Sequence, residues 1–479
     1  MISRRAAFKA GIGLTTAIGG AGLLVPALEG VAAASDLDPN SIEKFQVAMP
    51  RPKVLRPTFS TGLASYYTVT MREVAREIVP GKPTTVWTYN GQFPGPVIRA
   101  RSGERVVVRQ INRLSVPTSV HLHGAHVPQS SDGGPMDLIA PHGGQKVYTY
   151  PNHQSHANLW FHDHSHHTES ENVFRGLAGF YLLTDHTERR LNLPRGSYDV
   201  PIALRDARFD AEGQFVYVMG DFLKRSVILA NGKPWPYFDV AARKYRFRLF
   251  NQSNQRFFTL RLSDGSQMQQ IGTDGGLLPE PYATSTVSLS SGERADVVVD
   301  FSRYPVGTTV ELVNNDTGPA AQVMQFRVTR RAHDRSSVPP VLRSLPALAK
   351  PTVERSFVLK MDEAVGPDTK AWINGKVYDH QRIDTEIQYG ATEVWTVSNA
   401  NQRAPHNFHL HLVQFRVLER NGIPVTSGPE FGLKDTVKIM PGETVKLQAT
   451  FTGYRGTYLY HCHMLDHSAM GMMANMKIV

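Results

Sequence analysis

Residues 89–112 read YNGQFPGPVIRARSGERVVVRQIN, and this stretch decides the fold. An Asn-Gly pair, a short loop and an alternating run ending in Asn112 mark a tight turn followed by a strand. The same grammar returns as ANGKPWPYFDVAARKYRFRLFN at 230–251 and INGKVYDHQRIDTEIQYGATEVWTVSN at 373–399. The Asn-Gly pairs begin at 90, 231 and 374, spacings of 141 and 143 residues. Three copies of a strand-rich unit with few helical patterns predict three similar all-β sandwiches.

Working outward, two polar stretches separate the copies. TDHTERRLNLPRGSYD at 184–199 lies between two apolar strands, and TRRAHDRSSVPPVLRSLPALAKPTVE at 329–354 is rich in Pro, Ser and Arg. They divide the chain into units at 50–185, 198–330 and 355–479. SENVFRGL at 170–177 reads as a helix carried by a loop rather than as framework. A chain of 479 residues is too long for one core, and 41% hydrophobic with 20% charged residues is ordinary for a soluble globular protein.

The N-terminus has the parts of an export signal. SRRAAFK precedes a Gly-rich apolar stretch, and an A-x-A site follows at Ala32 and Ala34, so residues 1–34 read as cleavable. Arg4 and Arg5 point to the twin-arginine route, with its export machinery as a partner and the periplasm or the exterior as destination. Gly11, Gly13, Gly19, Gly20 and Gly22 make the stretch a poor spanning helix, so no stable membrane anchor is expected. Cleavage removes Arg4, Arg5, Lys9 and Glu29, taking the formal charge from +10 to +8. There is no dense Lys/Arg tract and no basic–aromatic interleaving, so nucleic acid is not an expected partner.

Four short motifs carry the chemistry. HLHG holds His121 and His123, WFHDH holds His162 and His164, HNFHLH holds His406, His409 and His411, and YHCH holds His461 and His463. Residues i and i+2 of a strand face one side, so each H-x-H pair sends two imidazoles to one surface. Recurrence at equivalent places in the first and third copies points to metal. Imidazole alone suits Zn, Cu, Fe or Ni, and the single cysteine, Cys462, narrows the choice. Two histidines, a thiolate and a weak axial methionine make a blue-copper electron-transfer site, and His406, Cys462, His467 and Met472 supply that set. Along the strand Cys462 points one way and His461 and His463 the other, which wires the sulfur to two imidazoles behind it.

With these motifs the chain resembles the three-domain multicopper oxidases from about residue 50 to the end. Within them, ENVFRGLAGFYLL at 171–183 and the 231–262 stretch are similar to the bacterial branch that includes spore-coat laccase, bilirubin oxidase and phenoxazinone synthase. The resemblance implies three cupredoxin-like Greek-key domains and four coppers. It implies a type 1 copper on His406, Cys462, His467 and Met472, and a type 2 copper on His121 and His409. It implies type 3 coppers on His123, His162 and His463 and on His164, His411 and His461. The implied reaction takes single electrons from a small-molecule reductant (a phenol, an aromatic amine or a tetrapyrrole) and reduces O2 to water. The middle copy, with QRFFTLRL where a histidine pair could stand, reads as a spacer and one wall of the substrate cleft. One chain suffices for the whole site, so a monomer is sufficient.

Two positions depart from the family. Asn407 replaces the usual proline, restoring a backbone N–H and releasing φ. Ser468 stands where relatives often carry a proton-delivering Glu, while Asp132 matches the family's other acid. Proton delivery is therefore expected to lean on Asp132, with water held by Ser468. His166 and His167 read as a polar loop, His126 and His142 as residues beside a solvent path, and Met464, Met470, Met473 and Met476 as core. Two other readings compete: a metal oxidase acting on Cu(I), Mn(II) or Fe(II), and a copper-free scaffold on the same fold. The first would need acidic or Met ligands near His467, and the second is hard to square with a complete ligand set.

Overall fold

In a computed structural model covering residues 35–366 and 368–479, the described residues build six β-sheets. The expected export signal lies outside the described residues. The sheets come in three pairs, formed by strands between 59 and 184, between 199 and 331, and between 353 and 478. The fold is all-β and cupredoxin-like.

The three copies share more than strand content. In each, an opening strand runs parallel to the strand that ends the quoted motif: Ala64–Glu77 with Arg105–Asn112, Asp199–Ala207 with Lys244–Asn251, and Val353–Met361 with Thr392–Asn399. An antiparallel strand completes each trio, at Gly144–Tyr150, Arg294–Asp300 and Thr444–Thr450.

The repeated asparagines explain why the motif recurs. Asn90, Asn231 and Asn374 all have positive φ (54°, 46° and 51°), each followed by a glycine that also has positive φ. That is the two-residue turn whose twist suits a hairpin, and Asn tolerates it best among residues with a side chain. Each side chain then mimics a strand. Its Oδ1 accepts from Thr70, Ala203 or Val358 N–H, and its Nδ2 donates to the Thr68, Pro201 or Ser356 carbonyl. The closing Asn112, Asn251 and Asn399 also act alike. Each accepts from the N–H two residues on and donates to a carbonyl of the following loop and to a second carbonyl farther along the chain. A buried asparagine so satisfied costs little and fixes the corner.

Each sandwich fills with its own apolar set. Val106, Val108, Leu122 and Phe161 pack in the first, Phe247, Leu260 and Phe326 in the second, and Phe357, Trp395, Phe408 and Tyr460 in the third. Full burial of such a side chain contributes roughly 1.5–3 kcal/mol.

One strand departs from its pattern. KYRFRLFN alternates as a half-exposed strand should, yet Arg246 and Arg248 are fully buried. Their face of the sheet meets the first sandwich instead of water. Arg246 pairs with Asp296 and Glu188, Arg248 with Asp199, and both lie 3.2 Å from His156 Nε2. Buried charge is tolerated here because it is paired and hydrogen-bonded.

The helices are short. Glu169–Arg175 follows the WFHDH strand and packs against Leu465–Ala469, the helix that carries His467. Among the described residues no helix is long and apolar enough to cross a membrane.

Candidate metal centre

The strand registers bring the histidines together. HLHG lies antiparallel to WFHDH with His121 opposite His162, and the HNFHLH strand meets the YHCH strand with His409 opposite His461. Period-two alternation then sets His123 and His164 on the face of the first pair, and His411 and His463 on that of the second. The two faces abut. His123 and His409 stack at 3.8 Å between ring centroids, and His121 and His411 at 3.9 Å. All eight rings are buried.

Four groups put three ligand atoms within 4.8 Å of one another with histidine or cysteine alone: His121, His123 and His409; His123, His162 and His463; His164, His411 and His461; and His406, Cys462 and His467. A further group joins Asp132 to His121 and His411. Every histidine expected as a ligand, and Cys462, falls in one of these. Met472 is buried in the same core as Cys462, and its carbonyl accepts the Cys462 N–H at 3.1 Å.

The outer nitrogens decide what the inner ones offer. A neutral imidazole has one N–H. His121, His162, His409 and His461 donate theirs from Nδ1 to the carbonyls of Asp132, Asp163, Asp435 and Cys462. His411 Nδ1 donates to Asp132 Oδ2 at 2.9 Å, His123 Nε2 to Asp435 Oδ1 at 2.9 Å, and His406 Nε2 to Asn401 Oδ1 at 2.9 Å. Each of these rings therefore points a bare lone pair inward.

Those lone pairs crowd. His463 Nε2 lies 3.0 Å from His123 Nδ1 and 3.3 Å from His162 Nε2, and His461 Nε2 lies 3.3 Å from His164 Nε2 and 3.2 Å from His411 Nε2. The inner Nε2 atoms of His121 and His409 have no partner at all. Burial, reinforced by neighbouring rings, holds the His121, His123, His164 and His409 imidazolium forms well below their ordinary range. Neutral rings whose nitrogens converge this closely are a set of donors for cations.

The fourth group has a different chemistry. Cys462 Sγ lies 3.8 Å from His406 Nδ1 and 3.7 Å from His467 Nδ1, and the two rings are 3.1 Å apart at those atoms. Burial pushes the thiol up to about 12 although the Asn407 and Met464 backbone N–H groups stabilise the anion. A thiolate there needs a cation beside it, and a soft thiolate with two imidazoles suits copper. Burial takes His467 down to about 4, so its ring is neutral and able to ligate.

Surrounding residues hold this geometry, and several were not visible in the motifs. Asp435 accepts from His123 and His409 and is gripped by Arg294 of the middle sandwich. Gly292, at φ +84°, packs so tightly that a Cβ there would meet His463 Nδ1 at 2.7 Å. The middle sandwich thus carries no histidine ligand yet supports the rings of the other two. Asp163, between His162 and His164, points to the opposite face and accepts from Ser119 N, Ser165 N and Asn172 Nδ2. Its place between two cluster-facing residues was the one local signal available.

Both departures from the family are structural joints. Asn407 Oδ1 accepts from His463 N at 2.6 Å and Met464 N at 3.1 Å, while Nδ2 donates to Ser291 O at 2.7 Å and Ser290 Oγ at 3.1 Å. Ser468 differs from expectation. Its hydroxyl is taken up by Glu169 Oε1 at 2.8 Å and the Leu465 carbonyl at 3.0 Å rather than held open for water. Asp132 lines a cleft of about 980 Å³ whose wall also carries Tyr378, His380 and Tyr458.

The remaining histidines stay outside the clusters. His166 and His167 stack on each other at 3.6 Å and join no three-ligand group. His126 Nδ1 donates to the Leu412 carbonyl, and His142 is exposed in a positive-φ turn. Met464, Met473 and Met476 are buried and Met470 partly so.

Known proteins resemble this chain along most of its length. Three family profiles described as multicopper oxidase match residues 70–188, 220–327 and 350–479. A laccase of Bacillus stratosphericus is 36% identical, covering 92% of this chain and 100% of its own. A bilirubin oxidase of Albifimbria verrucaria is 36% identical over 90% of this chain and 80% of its own. Among solved structures, a laccase from Pediococcus acidilactici superposes with a TM-score of 0.83 at 34% identity, covering 91% of this chain and 95% of that one.

Proposed function

Because this chain belongs to the multicopper oxidases, a copper oxidoreductase with O2 as acceptor, we propose that its reductants are phenols, aromatic amines or tetrapyrroles. Copper bound there would accept and pass on single electrons, and four centres together would hold the four electrons, drawn from the reductant, that convert O2 to water. His406, Cys462 and His467, with Met472 as a weaker donor, would hold the type 1 ion. His121 and His409 would hold type 2; His123, His162 and His463 one type 3 ion; His164, His411 and His461 the other.

The observation that carries this reading is the back-to-back placement around Cys462. Its sulfur joins one buried group while its sequence neighbours, His461 and His463, point into the two type 3 groups. A single peptide bond therefore separates Cys462 from each of the two flanking histidines. The outward N–H bonds fix every tautomer they involve, so the rings need no reorganisation to ligate.

An organic reductant is favoured by what surrounds His467. That ring is 4% exposed where His406 and Cys462 are 0% exposed, making it the least covered of the three. Asp466 anchors a loop of the middle sandwich beside it, accepting from Gly220 N at 2.7 Å and Arg225 Nη2 at 3.0 Å. The loop exposes Val218, Met219 and Leu223. Exposed apolar side chains on a loop anchored at the residue before His467 suit a flat aromatic better than a hydrated metal ion.

Residues 1–34 would direct the chain through the twin-arginine route, and the units 50–185, 198–330 and 355–479 would each form one domain. The test is O2 uptake by copper-loaded protein with a phenol, an aromatic amine, bilirubin and Cu(I) in parallel. Turnover confined to Cu(I) would replace this reading with a metal oxidase. No turnover with any of them, in protein that binds its full copper, would remove it.

A further inference from the structure

Glu169 opens the helix Glu169–Arg175 and is fully buried. Its Oε2 has no hydrogen-bond partner, and its Oε1 has the hydroxyl of Ser468 at 2.8 Å. The other buried acids nearby are satisfied as anions. Asp466 accepts from Arg225, Gly220, Tyr217 and Ser170, and Asp163 from the backbone N–H groups of Ser119 and Ser165, the Ser165 hydroxyl and Asn172. Glu169 has no such set. An ionised carboxylate there would leave one oxygen bare in a dry site, which is costly.

The Ser468 hydroxyl resolves what state Glu169 takes. It has a single hydrogen but two oxygens within reach, Glu169 Oε1 at 2.8 Å and Leu465 O at 3.0 Å. If Glu169 carries a proton, its O–H donates to Ser468 Oγ and Ser468 donates to Leu465 O, and both contacts are made. If Glu169 is ionised, one of the two acceptors goes without. The pair is built for the acid form.

Resting on the oxidase reading above, we propose that Glu169, paired with Ser468, is a proton-holding residue for O2 reduction. Each O2 consumes four electrons, drawn from the reductant, and four protons, giving two waters. Glu169 gives up the proton on its carboxyl and is recharged from solvent, so no net change remains on the protein. Glu169 comes five residues after His164, just past the strand Ala157–Asp163, and Ser468 follows His467, so the pair spans the seam between the two ligand-bearing sandwiches. On the solvent side, the Tyr378 hydroxyl lies close enough to respond to Glu169 charge and stands on the wall of the cleft that Asp132 also lines.

The electrostatics agree with the geometry. Burial, then the Asp163 and Asp466 carboxylates, raise Glu169 to about 8, while the Ser468 hydrogen bond works the other way. The groups that face it from neighbouring elements are Asp163, Asp466, Tyr217 and Tyr378, and Arg225 is committed to Asp466 and Asp221.

A structural latch between two helices would place the same residues side by side, and Glu169→Gln separates the roles because an amide still accepts from Ser468. In copper-free protein, infrared spectroscopy should show a protonated carboxyl C=O band that persists above about pH 7 in the wild type and is missing in Glu169→Gln. In copper-loaded protein, Glu169→Gln should lower kcat by roughly 10²-fold while leaving the reductant KM and the rate of anaerobic bleaching of the blue colour unchanged. The alkaline limb of the kcat–pH profile should disappear with it. A wild-type spectrum without that band overturns the proposal with no variant needed, as does a Glu169→Gln enzyme with wild-type kcat at every pH. O2 uptake by the wild type tests the oxidase reading separately, so the two failures cannot be confused.

Discussion

Arg294 in the middle sandwich grips Asp435 in the third with both ends of its guanidinium, at 2.6 Å and 2.5 Å, and all four atoms are buried. Asp435 in turn accepts from His123 Nε2. A residue of the copy without ligands thus orients a ring of the first copy through an acid of the third.

Removing the grip should therefore register at the metal site. Arg294→Met leaves Asp435 charged, buried and unpaired, a loss of about 3–5 kcal/mol for a pair broken from one side. The outer support of His123 and His409 loosens with it, and lost support of this kind costs roughly 10–100-fold in metal affinity. Copper content measured after dialysis against a graded chelator should fall at the histidine clusters before the blue site bleaches.

Cys462→Ser separates the two kinds of site. The hydroxyl cannot replace a soft thiolate, so the intense visible band is abolished and copper content drops by one per chain. The histidine clusters keep theirs, because none of their inner nitrogens depends on the sulfur. Loss of all copper from Cys462→Ser would contradict that independence.

How much of this could be read in the chain follows from the range of each interaction. Pairs such as His121 and His123, or Cys462 between His461 and His463, are legible because strand alternation is local. So is the threefold use of Asn in the turns and corners, which shows as plain repetition along the chain. Arg294 with Asp435 and Ser468 with Glu169 bridge 141 and 299 residues and depend on how sandwiches dock, which no local pattern encodes. Arg246 and Arg248 belong with them. Their alternation is real, but the polar face meets another sandwich rather than water.

That docked face sets an acid limit. Asp199 is raised by burial, but Arg248 outweighs this and holds its carboxyl at about 2. A carboxyl depressed on folding contributes stability in full above its unfolded value near 3.8 and loses it as pH falls toward 2. Asp199→Asn should lower stability at neutral pH and flatten the acid limb of the wild-type curve in that window. Urea midpoints between pH 2 and 6 on copper-free protein check the slope. Parallel curves for the two proteins would show that the pair contributes nothing to acid unfolding.

Asn407 holds the sulfur in two separable ways, and two substitutions tell them apart. Its backbone N–H, together with that of Met464, stabilises the Cys462 anion, while its side chain ties His463 and Met464 to Ser290 and Ser291. Hydrogen bonds to the cysteine sulfur withdraw charge from it and are a lever on the potential of such sites. Asn407→Pro removes the N–H as well as the side chain, so the type 1 potential should fall, because the more electron-rich sulfur favours the oxidised metal. Asn407→Ala keeps the N–H but loses the clamp and the Oδ1 that lies 3.5 Å from Cys462 Sγ, about 1 kcal/mol for each hydrogen bond removed and more where a buried partner is left unpaired. Its potential should not fall, because the lost Oδ1 is an acceptor that withdraws no charge from a thiolate, while its melting temperature drops. Equal potentials in the two variants, measured by redox titration of the blue band, would mean that the N–H adds nothing at the sulfur and that Asn407 serves only as a joint between sandwiches.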